Sequence, residues 1–392
     1  MKIHPLTTLS RRVIVEFMKK STVPRLLIAT GMEESDVRYA TGLTAPDPFV
    51  LVLAGSRKHL IVSALEAGRA RKACPSAVLH TPSELFAGFP PGRRSLADQI
   101  LALLRRLNAV AVAVGPWFPA GVARALEQNG VDVRLEAAPP FPRRAVKTSR
   151  EIACLAKSQR AAVAAMRAAV DLIRSAEISS GGVLKSGGRT LTSERVKDVI
   201  ERTLLERGCS AEGTIVATGP QGARPHDTGA GPLRANVPIV VDIFPRDKRT
   251  GYWGDITRTV VRGRASPDVR RMFRTVRRVQ AMALSMVRPG VESRAVQRAV
   301  EEEFARAGYP LRLSPPGRES GFIHSVGHGV GLDIHENPGL RNEPGRLRAG
   351  NVLTVEPGLY RPGLGGVRIE DTVAVVPGGC KILASFPKSL EL

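Results

Sequence analysis

Ile239-Val-Val-Asp242 and Asp255-Ile-Thr-Arg-Thr-Val-Val261 recur in outline as Leu353-Thr-Val-Glu356 and Glu370-Asp-Thr-Val-Ala-Val-Val376. Each pair reads as two β-rich runs with an acid at the end of the first and an acid at the start of the second. Asp and Glu are depleted inside strands, and burying them is costly unless a cation compensates the charge. A period-2 pattern is common to amphipathic hairpins, so the likeness alone leaves coincidence open. Taken as real, it predicts a pseudo-twofold α+β domain in which Asp242, Asp255, Glu356 and Glu370 converge.

The sequence around these runs supports a repeat. Thr148 and Glu151 form a capping-box pattern that opens a long Ala-rich helix running toward Ile178, and a second helix runs from about Ser193 to Arg207 before Gly208. The strand-like runs Thr214 to Ala217 and Pro238 to Phe244 follow, then a polar turn over Lys248 to Gly251. The order then returns. Ser266 and Pro267 start one helix, Ser293 starts another that ends near Gly308, and strands are expected over Val352 to Tyr360 and Val367 to Val376.

Upstream, the apolar runs Phe49 to Leu53, Leu60 to Val62 and Val110 to Val114 alternate with expected helices over Leu96 to Leu107 and Ala120 to Asn129, which reads as an α/β domain. Pro139, Pro140 and Pro142 interrupt that alternation, because proline resists both helix and central strand. Two domains, 1–145 and 146–392, are therefore expected, consistent with 392 residues being long for one core.

The composition, 43% hydrophobic and 24% charged, is that of a globular protein. Met1 to Thr30 carries several charges and no apolar run long enough for a signal peptide or a span, so no membrane association and a cytoplasmic location are expected. Cys74, Cys154, Cys209 and Cys380 lie far apart and read as isolated thiols. The net charge of +22 raises nucleic acid as a partner. Its distribution speaks against one. Residues 1–145 hold 20 Lys+Arg and 11 Asp+Glu, and residues 146–392 hold the remaining 38 and 25, so both parts are similarly basic. The densest cluster, Arg270, Arg271, Arg274, Arg277 and Arg278, reads as a solvated helix face.

Three of the seven histidines, His324, His328 and His335, fall in the glycine-rich run Phe322-Ile-His-Ser-Val-Gly-His-Gly-Val-Gly-Leu-Asp-Ile-His-Glu336, where glycine allows backbone to approach a ligand or ion closely. Four carboxylates with one imidazole suit a hard or borderline divalent ion better than a structural zinc.

The set Asp242, Asp255, His328, Glu356 and Glu370, with Ser325 to His335 and Gly366-Val-Arg-Ile-Glu-Asp371, resembles the pita-bread-fold metallopeptidases, particularly the Xaa-Pro dipeptidase (prolidase) and aminopeptidase P branch. The N-terminal part resembles it more weakly, through Asp36 to Gly42 and Arg144-Ala-Val-Lys-Thr-Ser-Arg-Glu151. The resemblance implies a creatinase/prolidase-like N-terminal domain, a likewise pseudo-twofold pita-bread catalytic domain, and a homodimer. It also implies two divalent ions per chain, with manganese or cobalt fitting best and zinc or iron also able to occupy such sites. Asp242 would hold one ion, Asp255 and Glu370 would bridge both, and His328 with Glu356 would complete the second. A metal-bridging hydroxide would attack an Xaa-Pro bond, with Glu356 as proton shuttle and His226, His324 and His335 around the substrate. Arg368, two residues before Glu370, is expected on the same strand face, holding either the Glu370 carboxylate or that of the substrate, or acting only as a supporting ion pair.

Two departures are visible. The loop from Asp242 to Asp255 is about two residues longer than the family's usual form, and Ala223 to Pro232 differs from its commonest substrate-histidine loop. Relatives of the same fold include creatinase-like amidinohydrolases, lyases and basic nucleic-acid- or ribosome-binding proteins; retention of all five ligands speaks against the metal-free and non-enzymatic readings. Nucleic-acid binding is accordingly expected to be weak near physiological salt. Submicromolar association with DNA or RNA, lost on reversing the charge of the Arg270 to Arg278 cluster, would overturn this, given how steeply phosphate contacts respond to salt.

Overall fold

The structure, a computed structural model, describes residues 23–29, 34–88, 94–313, 315–316 and 319–392. The expectation for Met1 to Thr30 falls outside them except at 23–29. Among the described residues no helix is long and apolar enough to cross a membrane. The chain divides into two compact units, Met1–Pro142 and Arg143–Leu392.

The first unit is a six-stranded mixed sheet. Across it the strands run Val78–His80, Arg57–Ile61, Phe49–Ala54, Arg25–Ala29, Ala111–Val114 and Asp132–Leu135. The apolar runs noted in the sequence are continuous because both faces are covered. Val50 and Val52 pack on one face with Leu101, Leu104 and Leu126, while Leu51 and Leu60 pack on the other with Val37 and Ala70.

The second unit repeats one plan. Helices Ser149–Ser175 and Ser193–Leu205 pack on the three-stranded sheet Ile215–Thr218, Ile239–Ile243 and Ile256–Val260, with Ala162, Ala165, Ala169 and Ile200 against Val241, Ile243 and Ile256. Helices Pro267–Met286 and Ser293–Arg306 pack on the sheet containing Val352–Val355 and Asp371–Val376, with Met272, Val276, Val300 and Phe304 against Leu353, Val355, Val373 and Val375. The Thr148–Glu151 capping box forms, and Tyr252 Oη donates a further hydrogen bond to Glu151 at 2.8 Å.

The strands expected over Val352 to Tyr360 and Val367 to Val376 are each broken in two. Val352–Val355 pairs with Asp371–Val376, whereas Gly358–Arg361 pairs with Gly365–Arg368. The first break holds Pro357, which has no N–H to give a ladder. Glu356 and Glu370 stand in these two breaks. Freed from the local ladder, their amides reach other segments: Glu356 N donates to Val326 O at 2.8 Å and Glu370 N to Thr257 O at 3.1 Å. The second bond ties one half of the repeat to the other. The long tip of the first hairpin is closed by Asp247, whose Oδ1 accepts from the amides of Arg249 and Thr250.

Candidate metal centre

Asp242 lies opposite Thr257 in the antiparallel pair Ile239–Ile243 and Ile256–Val260. Asp255 precedes Thr257 by two positions, so it shares that face and sits diagonally across from Asp242. Its backbone is held from the long helix. Gln159 Nε2 donates to Asp255 O, and Asp255 N donates to Gln159 Oε1, both at 2.7 Å. Thr372 Oγ1 donates to the same carbonyl at 2.8 Å. Residue 254 must be glycine for the helix to come so near: a Cβ there would lie 2.7 Å from Gln159 N.

Glu370 is 1% exposed, and its Oε2 accepts from Thr257 Oγ1 at 2.7 Å. His328 lies in the strand Gly327–Gly329, where a Cβ on Gly327 would fall 2.0 Å from Thr354 O and one on Gly329 would fall 2.3 Å from Glu336 O. These glycines therefore admit neighbouring backbone on both sides of His328. His328 Nδ1 faces Gly329 O at 3.2 Å, which favours a proton there and leaves Nε2 as a lone-pair donor. That Nε2 points between Asp255 Oδ2 at 3.4 Å and Glu356 Oε1 at 3.5 Å.

Asp255, His328 and Glu370 offer ligand atoms all within 4.8 Å of one another. Burial, then Asp242 and Glu356, push the Asp255 carboxyl well above the usual carboxylate range. Burial, then Asp255 and Glu356, do the same to Glu370. Glu356 is also pushed up, by burial first and by Asp242 among the nearby acids. Asp242 accepts from Arg368 Nη2 through Oδ2 at 2.6 Å, while its buried Oδ1 has no hydrogen-bond partner among the described residues. An orphan buried acceptor beside mutually repelling acids and a free imidazole lone pair is a donor set fitted to divalent cations.

Of the alternatives for Arg368, a hold on Glu370 is not what forms; the ion pair is with Asp242, and the guanidinium also donates to Tyr360 Oη at 2.8 Å. The same-face rule fails because the strand ends at Arg368 and a different one begins at Asp371. His324 has both ring nitrogens engaged. Its Nδ1 lies 2.7 Å from Ser325 O and its Nε2 2.9 Å from Tyr360 Oη. Burial first, then Arg368, lowers its pKa to about 3 and keeps the ring neutral, so its single N–H and single lone pair are both taken and it has no N–H to offer a substrate carbonyl in this arrangement.

His335 remains more open. Its ring meets that of His328 edge-on at 4.3 Å, and burial, followed by His328, lowers its pKa to about 4. His226 is exposed and, with His324, lines a cleft of about 580 Å³ whose other walls include Pro220, Ala223, Pro225, Ile323 and Pro362. Gln159, Thr257 and Tyr360 escaped the sequence reading. A polar residue on the buried stripe of an Ala-rich helix was the available signal for Gln159; Tyr360 had none.

The pattern of metallopeptidase family M24 matches residues 153–377, and the chain belongs to that family of metallopeptidases. Over its full length it is similar to the Xaa-Pro dipeptidase of Pyrococcus horikoshii, 26% identical over 381 residues, covering 96% of this chain and 97% of the relative. In structure it is similar to the prolidase from Pyrococcus horikoshii, with a TM-score of 0.78 at 24% identity, covering 97% of this chain and 99% of the other. It is likewise similar to the X-Pro aminopeptidase from Thermotoga maritima, with a TM-score of 0.75 at 22% identity, covering 94% and 97%. These last two likenesses establish a shared fold, the pita-bread catalytic unit with its N-terminal companion.

The raised carboxyl pKa values fix the sign of a pH effect on the metal-free protein. Such groups bind more protons folded than unfolded, so their contribution favours folding near pH 5 and is lost as pH rises through the folded-state values. In metal-free protein, Glu370→Gln should therefore unfold a few degrees above wild type at pH 8, with the gap closing toward pH 5; about 1 kcal/mol moves Tm by roughly 2–4 °C in a unit of this size. Thermal unfolding in chelator checks this, and a variant less stable at pH 8, or equally shifted at both pH values, contradicts it.

Proposed function

We propose that this metallopeptidase hydrolyses the bond preceding proline, with two divalent ions held by Asp242, Asp255, His328, Glu356 and Glu370. The observation that carries the reading is the grouping of Asp255, His328 and Glu370, with Asp242 and Glu356 close enough to raise the Asp255 and Glu370 carboxyl pKa values and an Asp242 oxygen that has no hydrogen-bond partner among the described residues. The oxygen-rich set favours manganese or cobalt over a tetrahedral zinc site. Ions bound there would polarise the scissile carbonyl and make water nucleophilic near neutral pH. A homodimer in the cytoplasm is part of the same proposal, on resemblance alone.

The protein's own groups would do the rest. Glu356, held by a 3.4 Å hydrogen bond from Thr354 Oγ1 and pushed up in pKa, suits a proton shuttle that takes a proton from water and returns it to the leaving nitrogen. Arg368 aims Asp242, because its guanidinium fixes one carboxylate oxygen at 2.6 Å and leaves the other turned away from it. His335 is the group best fitted to donate to the substrate carbonyl: neutral at pH 7, it has one N–H, and no side-chain hydrogen bond occupies it among the described residues. A proline nitrogen has no N–H to recognise, so selectivity must come from ring shape. The cleft beside His226 and His324, walled by Pro220, Pro225, Ile323 and Pro362, offers an apolar surface for that. Its link to the acids is one residue long, since Arg368 Nη2 also approaches Pro225 O at 3.5 Å.

Xaa-Pro selectivity is supported by the full-length likeness to the Pyrococcus horikoshii Xaa-Pro dipeptidase and by the three histidine positions. Turnover of Ala-Pro and Ala-Pro-Ala by the metal-loaded protein should exceed that of Ala-Ala and Met-Ala. The reverse order would remove the proline assignment and leave the broader metallopeptidase.

A further inference from the structure

The Arg144-Ala-Val-Lys147 stretch takes no part in the centre described above, yet it is among the most heavily committed segments of the second unit. Lys147 N donates to Gly350 O at 2.7 Å, and Asn351 Nδ2 donates to Ala145 O at 2.7 Å, fastening the stretch to the start of the strand that leads to Glu356. The Lys147 side chain is 1% exposed, and its ammonium meets Glu336 Oε1 at 2.5 Å. Arg144 Nη2 reaches Glu336 Oε2 and Asp333 Oδ2, both at 2.6 Å. Glu336 Oε2 also accepts from Asp333 N at 3.3 Å. The carboxylate is pressed so closely against its own loop that a Cβ on Gly331 would lie 2.2 Å from Glu336 Oε1.

An ion cluster of this kind is an expensive way to gain stability, since desolvating the charges offsets most of their attraction and apolar residues would pack as well. What it does supply is direction. Glu336 adjoins His335, whose imidazole makes no side-chain hydrogen bond among the described residues and touches His328 only edge-on. His335 therefore lacks a tether of its own. Its place is set by the backbone, and the nearest fixed point is the neighbouring carboxylate, held by two cations 192 and 189 positions earlier.

We infer that Arg144, Lys147 and Glu336 are positioning residues that aim His335 at the substrate carbonyl. The inference rests on the proposed role of His335. Glu336 touches none of the five donors with its carboxylate, so its loss should leave metal content intact while misdirecting one hydrogen bond.

A double-mutant cycle on full-length, metal-loaded protein tests this, with Ala-Pro as substrate and metal content measured for every variant. Glu336→Gln should lower kcat/KM about tenfold or more, as removal of an orienting partner does at other histidines, with metal content unchanged. In a His335→Ala background it should cost nothing further. Losses that multiply in the double variant, or a Glu336→Gln protein that merely unfolds earlier with kcat/KM unchanged, would overturn the positioning role while leaving that of His335 standing. A His335→Ala protein as active as wild type would instead remove the reading on which the inference rests. If Glu336→Gln does not fold, Lys147→Met with Glu336→Gln, which leaves no lone ammonium buried, takes its place in the same cycle.

Discussion

Four carboxylates, Asp242, Asp255, Glu356 and Glu370, are drawn into one buried space, and their mutual repulsion is the constraint around which the second unit is organised. At separations of a few ångströms, with little water between them, such charges repel by several kcal/mol. Only protons, a guanidinium or metal cations can offset that. Arg368 answers one carboxylate oxygen of Asp242, and the other has no hydrogen-bond partner among the described residues. The remaining deficit is the physical reason to expect cations, and it is independent of any likeness to other proteins.

Much of the surrounding architecture holds the acids where they would not settle unaided. Gln159 grips the Asp255 backbone from both sides, and Gly254 lets the helix come near enough to do so. The buried Arg258 guanidinium donates to Glu370 O, to Asp371 Oδ1 and to Phe386 O, so the C-terminal segment braces Glu370 and its neighbour Asp371. Gln280 Nε2 and Lys388 Nζ take the other Asp371 oxygen, which leaves that acid fully compensated and distinguishes it from Glu370 one residue earlier. Adjacent acids thus have opposite surroundings: Asp371 is paired to Arg258 and Lys388, whereas Glu370 accepts from the neutral Thr257 hydroxyl and faces the other acids.

The alternation of apolar runs and helices, the capping box at Thr148 and the duplicated hairpin acids made the fold legible, because each is local and periodic. The gathering of the four acids beside His328 was legible for a related reason: an acid ending a buried strand, or a histidine among glycines, breaks the pattern around it. Contacts that depend on where a strand stops were not legible. Counting two residues from Arg368 to Glu370 put both on one face, but the chain changes sheets between them. The engagement of both His324 nitrogens depends on Tyr360, which reaches it from a different strand. Nor does the sequence reveal that Arg144 and Lys147, just after the proline cluster, are turned inward onto Glu336.

The central claim, that the buried carboxylates exist to hold divalent cations, is tested most directly by counting ions bound per chain by elemental analysis after manganese or cobalt loading and removal of free metal. The account predicts two per chain for wild type and a marked loss for Asp255→Asn, each retained ion coming off with chelator together with the activity. A protein that carries no metal after loading and keeps full activity in excess chelator would contradict it.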